Sequence, residues 1–302
     1  GSLRPVDRCA RCVGCRWTLT DMSVRARTAI GAGADPLTDP LPELLRDGSL
    51  LVEGQLVGAT NTTLLCRLVE PGEGVAAEAT MRCVYKPIMG ERPLWDFPVG
   101  SLGLREVAAY LVSEAAGWHV VPPTILRDGP YGPGMCQQWV EHDGTQLADV
   151  LSPEQVPVNW MQVLDAVDEV GNPVVLAHAD DSGLRTMALF DVVVNNADRK
   201  GGHVLVDRSG GVFGVDHGVC FHPEPKLRTV LWGWVDSSLT AAERGTLLTL
   251  RARLDGQLGS SLAALLAPEE IEATKTRLAE LLRRDRFPSP DPGRAAIPWP
   301  PF

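Results

Sequence analysis

Along the first half of the chain the apolar positions fall in short runs separated by turn residues. Leu50–Val57 and Thr63–Leu68 flank Gly58-Ala59-Thr60-Asn61-Thr62, and Ala79–Pro87 ends in Val84-Tyr85-Lys86-Pro87. Runs of this length bounded by Gly, Asn and Pro predict β-strands. A short helix over Leu41–Arg46 precedes them. Leu104, Val107, Ala108, Leu111 and Ala115 recur instead at helical spacing, so Leu104–Ala116 is expected to be a helix stopped by Gly117. Val120–Leu126 and Gly134–Glu141 read as two further strands.

From Ser152 onward the pattern changes to helical spacing, over Pro153–Val170 and then Ser182–Asn195. A β pair follows, Val204–Asp207 and Val212–Asp216, joined through Ser209-Gly210-Gly211. Thr240–Leu254, Ser260–Leu266 and Pro268–Arg284 are expected helices, and the Pro-rich remainder an extended surface tail. These shifts divide the chain into a mobile leader over 1–38, a β-rich lobe over 39–145, a mostly helical lobe over 146–285 and a tail over 286–302. The expected fold class is α+β in two lobes, with a ligand cleft between them.

Composition narrows the possible partners. With 44% apolar residues, the 302-residue chain can bury a substantial core. A net charge of −10 argues against non-specific nucleic-acid binding and against loose attachment to an anionic membrane. Lys226-Leu227-Arg228 is a candidate local basic patch. No apolar run reaches the roughly 20 residues of a membrane span. The first residues have no apolar signal core, so a cytoplasmic location is the expectation; Gly1-Ser2 reads as a tag remnant. Cys66, Cys83, Cys136 and Cys220 stand singly among apolar residues, as reduced core thiols do. Cys9, Cys12 and Cys15 have a metal-like spacing with no fourth ligand after them, and read as part of the leader.

The candidate chemistry lies in three segments. Asp191-Val-Val-Val-Asn-Asn-Ala-Asp-Arg-Lys-Gly-Gly-His203 runs from an apolar helix end into a polar loop and on to a strand. Phosphoryl transfer needs a carboxylate that orients an attacking hydroxyl and, a few residues on, a polar group that holds metal. Asp198 and His203 are placed for those two tasks, with Asp191 able to brace the loop from the preceding helix. Asp216, at a strand end before His217-Gly218, suits a cation bridging two phosphates. Lys86 sits in an apolar strand, where a Lys is costly unless a phosphate and a carboxylate pair it; Glu106 is the carboxylate at hand. Singly, each has an ordinary reading: Asp favours turns, Lys sits on edge strands and Glu starts helices. Their joint order is what points to chemistry.

Asn196-Ala197-Asp198-Arg199 followed by Asp216-His217-Gly218 resembles the phosphatidylinositol 3-/4-kinase superfamily, nearest its type II phosphatidylinositol 4-kinases, its HipA-type kinases and an actinobacterial branch of such proteins. The resemblance spans about 40 to 285 and is specific in the two strings quoted. It implies a protein-kinase-like fold and an ATP-dependent kinase. The acceptor would be a hydroxyl on phosphatidylinositol, a small molecule or a protein. In it Asp198 is catalytic, Asp216 holds Mg²⁺ or Mn²⁺, Lys86 binds the phosphates and Glu106 holds Lys86. Gln137–Val140 falls where a hinge would read adenine, with Gln138, Trp139 and Val140 as the cofactor-binding residues. Two departures stand out. His203 replaces the usual Asn metal ligand, and imidazole is softer than the oxygen Mg²⁺ prefers. No Gly-rich phosphate motif is present, leaving Asn61, Thr62 and Thr63 to cover the phosphates. A nucleotide-binding pseudokinase and a kinase-fold AMP transferase therefore stay open.

Overall fold

The structure is a computed structural model and describes residues 42–58, 60–72 and 81–302. The leader and its three cysteines lie outside the described residues. A short helix α1 (Glu43–Asp47) leads into β1 (Ser49–Gln55), β2 (Leu64–Val69) and β3 (Met81–Pro87). Helix α2 (Leu102–Ala116) crosses over to β4 (Thr124–Gly129) and β5 (Gly132–Gln138). These strands form one antiparallel sheet in the order β1-β2-β3-β5-β4. The expected elements over 41–141 are all present, with ends shifted by a few residues; Val120–Pro123 is not strand.

Period-2 geometry sorts the residues of β3. Cys83 and Tyr85 are buried against Leu45 of α1, Leu64, Cys66, Leu68 and Cys136. Lys86, between buried Tyr85 and Pro87, therefore emerges on the opposite face. Cys66, Cys83, Cys136 and Cys220 are free, buried thiols, as their apolar surroundings predict. Helix α2 is buried almost all round and ends on Gly117, whose φ of 69° is the left-handed stop a Gly supplies without strain.

The expected helix over Pro153–Val170 is not formed. The chain instead builds a three-stranded antiparallel sheet, β6 (Ala148–Leu151), β7 (Trp160–Val167) and β8 (Pro173–Ala179), in the order β6-β8-β7. The driving element is β8, whose Val175–Ala179 run is buried as a central strand's is. Its partner β7 is an edge strand, with Leu164 and Val167 exposed. A register shift between Gln162 and Leu164 breaks the alternation that would have marked it as a strand. The hairpin turn is held by Asp168, whose carboxylate accepts from the backbone N–H groups of Val170 and Asn172.

The remainder follows the expected order. Helix α3 (Ser182–Val194) is capped by the Asp181 carboxylate, and the β9 (Val204–Val206) and β10 (Val212–Gly214) hairpin succeeds it. Then come α4 (Ala241–Leu254), α5 (Gln257–Ala263) and α6 (Pro268–Arg284). A large core joins α2, α3 and α4–α6. The fold is thus α+β, a β-rich N-terminal part followed by a mostly helical C-terminal part. The Pro-rich tail packs back on the second part: Thr229 N–H donates to Ala296 O (3.0 Å) and Gly201 N–H to Pro301 O (2.9 Å).

Candidate active site

Lys86 reaches from β3 to two carboxylates, Glu106 Oε1 at 2.6 Å and Asp216 Oδ1 at 2.8 Å. Glu106 is buried in the second turn of α2, and its other oxygen accepts from the His217 N–H at 3.1 Å. Burial works against the Lys86 charge, but Asp216 and Glu106 outweigh it and hold the ammonium protonated. Burial pushes the Glu106 carboxyl up, which Lys86 only partly offsets. Asp216 is half exposed at its side chain; the nearby Lys86 ammonium keeps its carboxyl well below the usual range. The Asp216 backbone has φ 61°, a left-handed conformation that a non-glycine residue holds only where its surroundings impose it.

The loop after α3 is fixed by its own side chains. Asn195 ends the helix in a left-handed conformation (φ 55°), and its amide ties down His222 O, Glu224 O and the Lys226 N–H. Asn196 donates to Asp191 Oδ1 at 2.9 Å and accepts from the Asp198 N–H at 3.0 Å. Arg199 is fully buried and forms an ion pair with Asp191 at 2.9 Å. Its guanidinium also donates to His203 O, to Val215 O and, at 2.6 Å, to His217 Nε2. Arg199 therefore locks the Asp198 loop to the Asp216 strand end. The His217 Nδ1 is buried without a hydrogen-bond partner among the described residues. Burial and the adjoining guanidinium hold that ring neutral.

Asp198 projects into a cleft of about 380 Å³ that is also lined by Lys86, His203 and Asp216. Its carboxyl is raised by burial, against the pull of Lys200, whose Nζ lies 3.7 Å from Oδ2. The His203 ring is kept neutral chiefly by burial. Its Nδ1 faces the Asp198 carbonyl at 3.0 Å; since a carbonyl only accepts, Nδ1 carries the proton. Nε2 is then a lone pair, 3.5 Å from Asp216 Oδ2. Two electron-pair donors face each other there, and that arrangement invites a cation. No cluster of three or more His, Cys, Asp or Glu side chains gathers for a metal among the described residues. The pair fits Mg²⁺ or Mn²⁺ only as a partial shell, completed by phosphate oxygens and water.

The expected nucleotide contacts divide. Asn61, Thr63, Gln138, Trp139 and Val140 line the same cleft; Thr62 does not, and its N–H donates to Gly90 O at 3.1 Å. Asn61 Oδ1 accepts from the Arg92 N–H, which fixes the loop but occupies that oxygen. The N–H groups of Gln138 and Trp139 are taken by Pro123 O and Arg82 O, so Val140 is the position of the three whose N–H has no such bond among the described residues. Gln137, the first residue of the expected hinge, is on the cleft wall too, while sequence reasoning missed Lys200 and His142 there. It also missed Glu91, whose carboxylate caps α2 by accepting from the N–H groups of Leu102 and Gly103. Lys200 was legible as a cation two positions after Asp198; the Glu91 cap, eleven residues before its helix across a Pro-rich loop, had no local signal.

Comparison with known proteins places the chain in a family. It is 46% identical over 280 residues to Protein Rv2133c of Mycobacterium tuberculosis (strain ATCC 25618 / H37Rv), covering 88% of this chain and 97% of that protein. The chain belongs to the family of that mycobacterial protein. No family model matches the sequence. Among solved structures, the Helicobacter pylori proinflammatory kinase CtkA is similar with a TM-score of 0.41 and 12% identity, covering 79% of this chain and 93% of that one. At that level no residue role passes from one protein to the other.

Proposed function

We propose that this chain is an ATP-dependent phosphotransferase of phosphatidylinositol 3-/4-kinase-like type. The observation that carries the reading is the Lys86 ammonium, clamped by Glu106 and Asp216 in the cleft that Asp198 and His203 share. A cation held against two carboxylates on one wall, with a carboxylate of raised pKa opposite, is what a triphosphate and an attacking hydroxyl require. Lys86 and Lys200 neutralise phosphate charge. Adenine lies against Gln138–Val140, with the Val140 N–H as its backbone donor, and Asn61 and Thr63 close over the phosphates. Asp198 orients the acceptor hydroxyl and takes its proton. The acceptor oxygen–phosphorus bond forms, the bond from the γ-phosphorus to the β–γ bridging oxygen breaks, and ADP leaves. Asp216 and His203 would hold Mg²⁺ or Mn²⁺, which supplies charge neutralisation across the phosphates. The acceptor is an alcohol, whether lipid, small molecule or protein side chain.

ATP turnover with Mg²⁺ and with Mn²⁺ tests this, comparing wild type with Asp198→Ala and Asp216→Ala. Both variants are expected to fall to background; equal rates for all three proteins refute it. The imidazole at 203, in place of an oxygen donor, favours a second reading as a nucleotide-binding module without transfer. Thermal stabilisation by ATP without consumption of ATP, and without AMP incorporation into any product, would select that one.

A further inference from the structure

A second and larger cavity, about 600 Å³, opens on the other side of the Asp198 loop. One wall is the segment 224–228 with Trp95 and Trp232; the others are α6 and the tail around 286–296. Arg228 links it to the candidate active site. Its backbone pairs with the loop, N–H to Asn196 O and O to the Arg199 N–H, and its charge lowers the Asp198 carboxyl pKa. The segment that lines the cavity is thus hydrogen-bonded to the loop that carries Asp198, although Asp198 itself lines the other cleft.

The charge of this cavity opposes that of the chain. In a protein of net charge −10, it is lined by six basic side chains against three carboxylates. Four of the six are already engaged: Lys226 with Asp96, Arg277 with backbone carbonyls, Arg284 with Glu280 and Arg294 with Pro225 O. Arg228 and Arg286 make no side-chain hydrogen bond or ion pair among the described residues. Two guanidinium forks with no side-chain hydrogen bond among the described residues, beside an indole-lined wall, match an anion with an organic body, and the fork geometry suits a phosphate. The volume is that of a small-molecule site.

We infer that this cavity is a binding site, separate from the cleft that Asp198 lines, for a soluble small molecule carrying a phosphate group held by Arg228 and Arg286. A bilayer lipid is disfavoured because an anionic membrane repels the chain as a whole.

Isothermal titration of the full chain with glycerol 3-phosphate, with inorganic phosphate and with phosphatidylglycerol vesicles tests the assignment. Saturable glycerol 3-phosphate binding is expected, weakened about tenfold or more by Arg286→Ala, since each charge-assisted hydrogen bond carries that much. ATP-dependent thermal stabilisation should be unchanged in that variant. Lys86→Met, run in parallel, separates the two readings: it should lose the ATP response and keep glycerol 3-phosphate binding. If ATP stabilises neither wild type nor Arg286→Ala while the probe still binds, the kinase reading has failed and the anion site stands. Absence of saturable binding overturns the assignment. So does binding indifferent to Arg228→Ala and Arg286→Ala, binding lost only with Lys86→Met, or binding only to vesicles.

Discussion

At Asp198 two demands conflict. Burial raises its carboxyl pKa above the usual value near 4, so the folded protein binds that proton more tightly than the unfolded chain does. Its contribution to stability is therefore present at low pH and lost as pH rises through the raised value. At neutral pH the charged carboxylate is a small liability that proton abstraction needs. Asp198→Asn is expected to melt at or above the wild-type temperature by calorimetry, while transfer falls about a hundredfold or more. For wild type, the acid limb of the rate profile should lie above the ordinary carboxylate range. A marked fall in melting temperature would instead make Asp198 a structural turn residue. Glu106 is a second carboxyl raised by burial, and Glu106→Gln keeps the hydrogen-bonding shape but removes the charge beside Lys86. It should weaken ATP-dependent thermal stabilisation more than it lowers the unliganded melting temperature. That Lys86, Asp198 and Asp216 line one cleft, with Glu106 buried behind Lys86, was foreshadowed in the sequence because each sits beside a recognisable boundary, a strand end, a helix start or a loop. The roles of His217 and Arg199 were not, since they depend on contacts between the loop and a strand end further along the chain.

At the scale of elements, the α3 end and the loop after it behave as one unit through the Asp191–Arg199 pair, both side chains fully buried. Removing one partner strands the other charge in the core, which costs about 3–5 kcal/mol. Asp191→Ala should lower unfolding stability in urea by that order, and the slope of the transition should stay near wild type if the rest of the fold survives. The three-stranded sheet shows where sequence pattern gives out. Trp160, Val163, Leu164 and Val167 recur at helical intervals. The irregularity at Gln162/Leu164 displaces the edge strand's faces enough to mimic a helix. The Val174-Val175 run that leads into the buried stretch and the Gly171-Asn172 turn carried the correct signal, but a β-branched run is also compatible with a buried helix until its pairing partner is known.

At the scale of the molecule, the tail runs without helix or strand, and its contacts go further than composition indicated. It also lines the predominantly basic cavity with residues of 288–296 and packs against the Asp198 loop through the Gly201 N–H to Pro301 O bond. Gly201 shows how closely. A Cβ built there would lie 1.8 Å from the Phe302 ring, far inside any tolerable contact. A side chain at position 201 and the Phe302 ring cannot both keep these places, so one of them must shift. Gly201→Ala should push the tail end off while leaving the core intact. Hydrogen exchange is expected to rise at Gly201, whose N–H donates to Pro301 O, and at Thr229, whose N–H donates to Ala296 O, with protection in α2 and α3 unchanged. Phe302→Ala tests the same contact from the other side and should raise exchange at Gly201 without the steric clash. If both variants leave Gly201 exchange at the wild-type rate, the tail is merely resting on the loop. If Phe302→Ala also slows transfer at saturating ATP without altering ATP-dependent stabilisation, the tail belongs to the machinery that holds Asp198 in place.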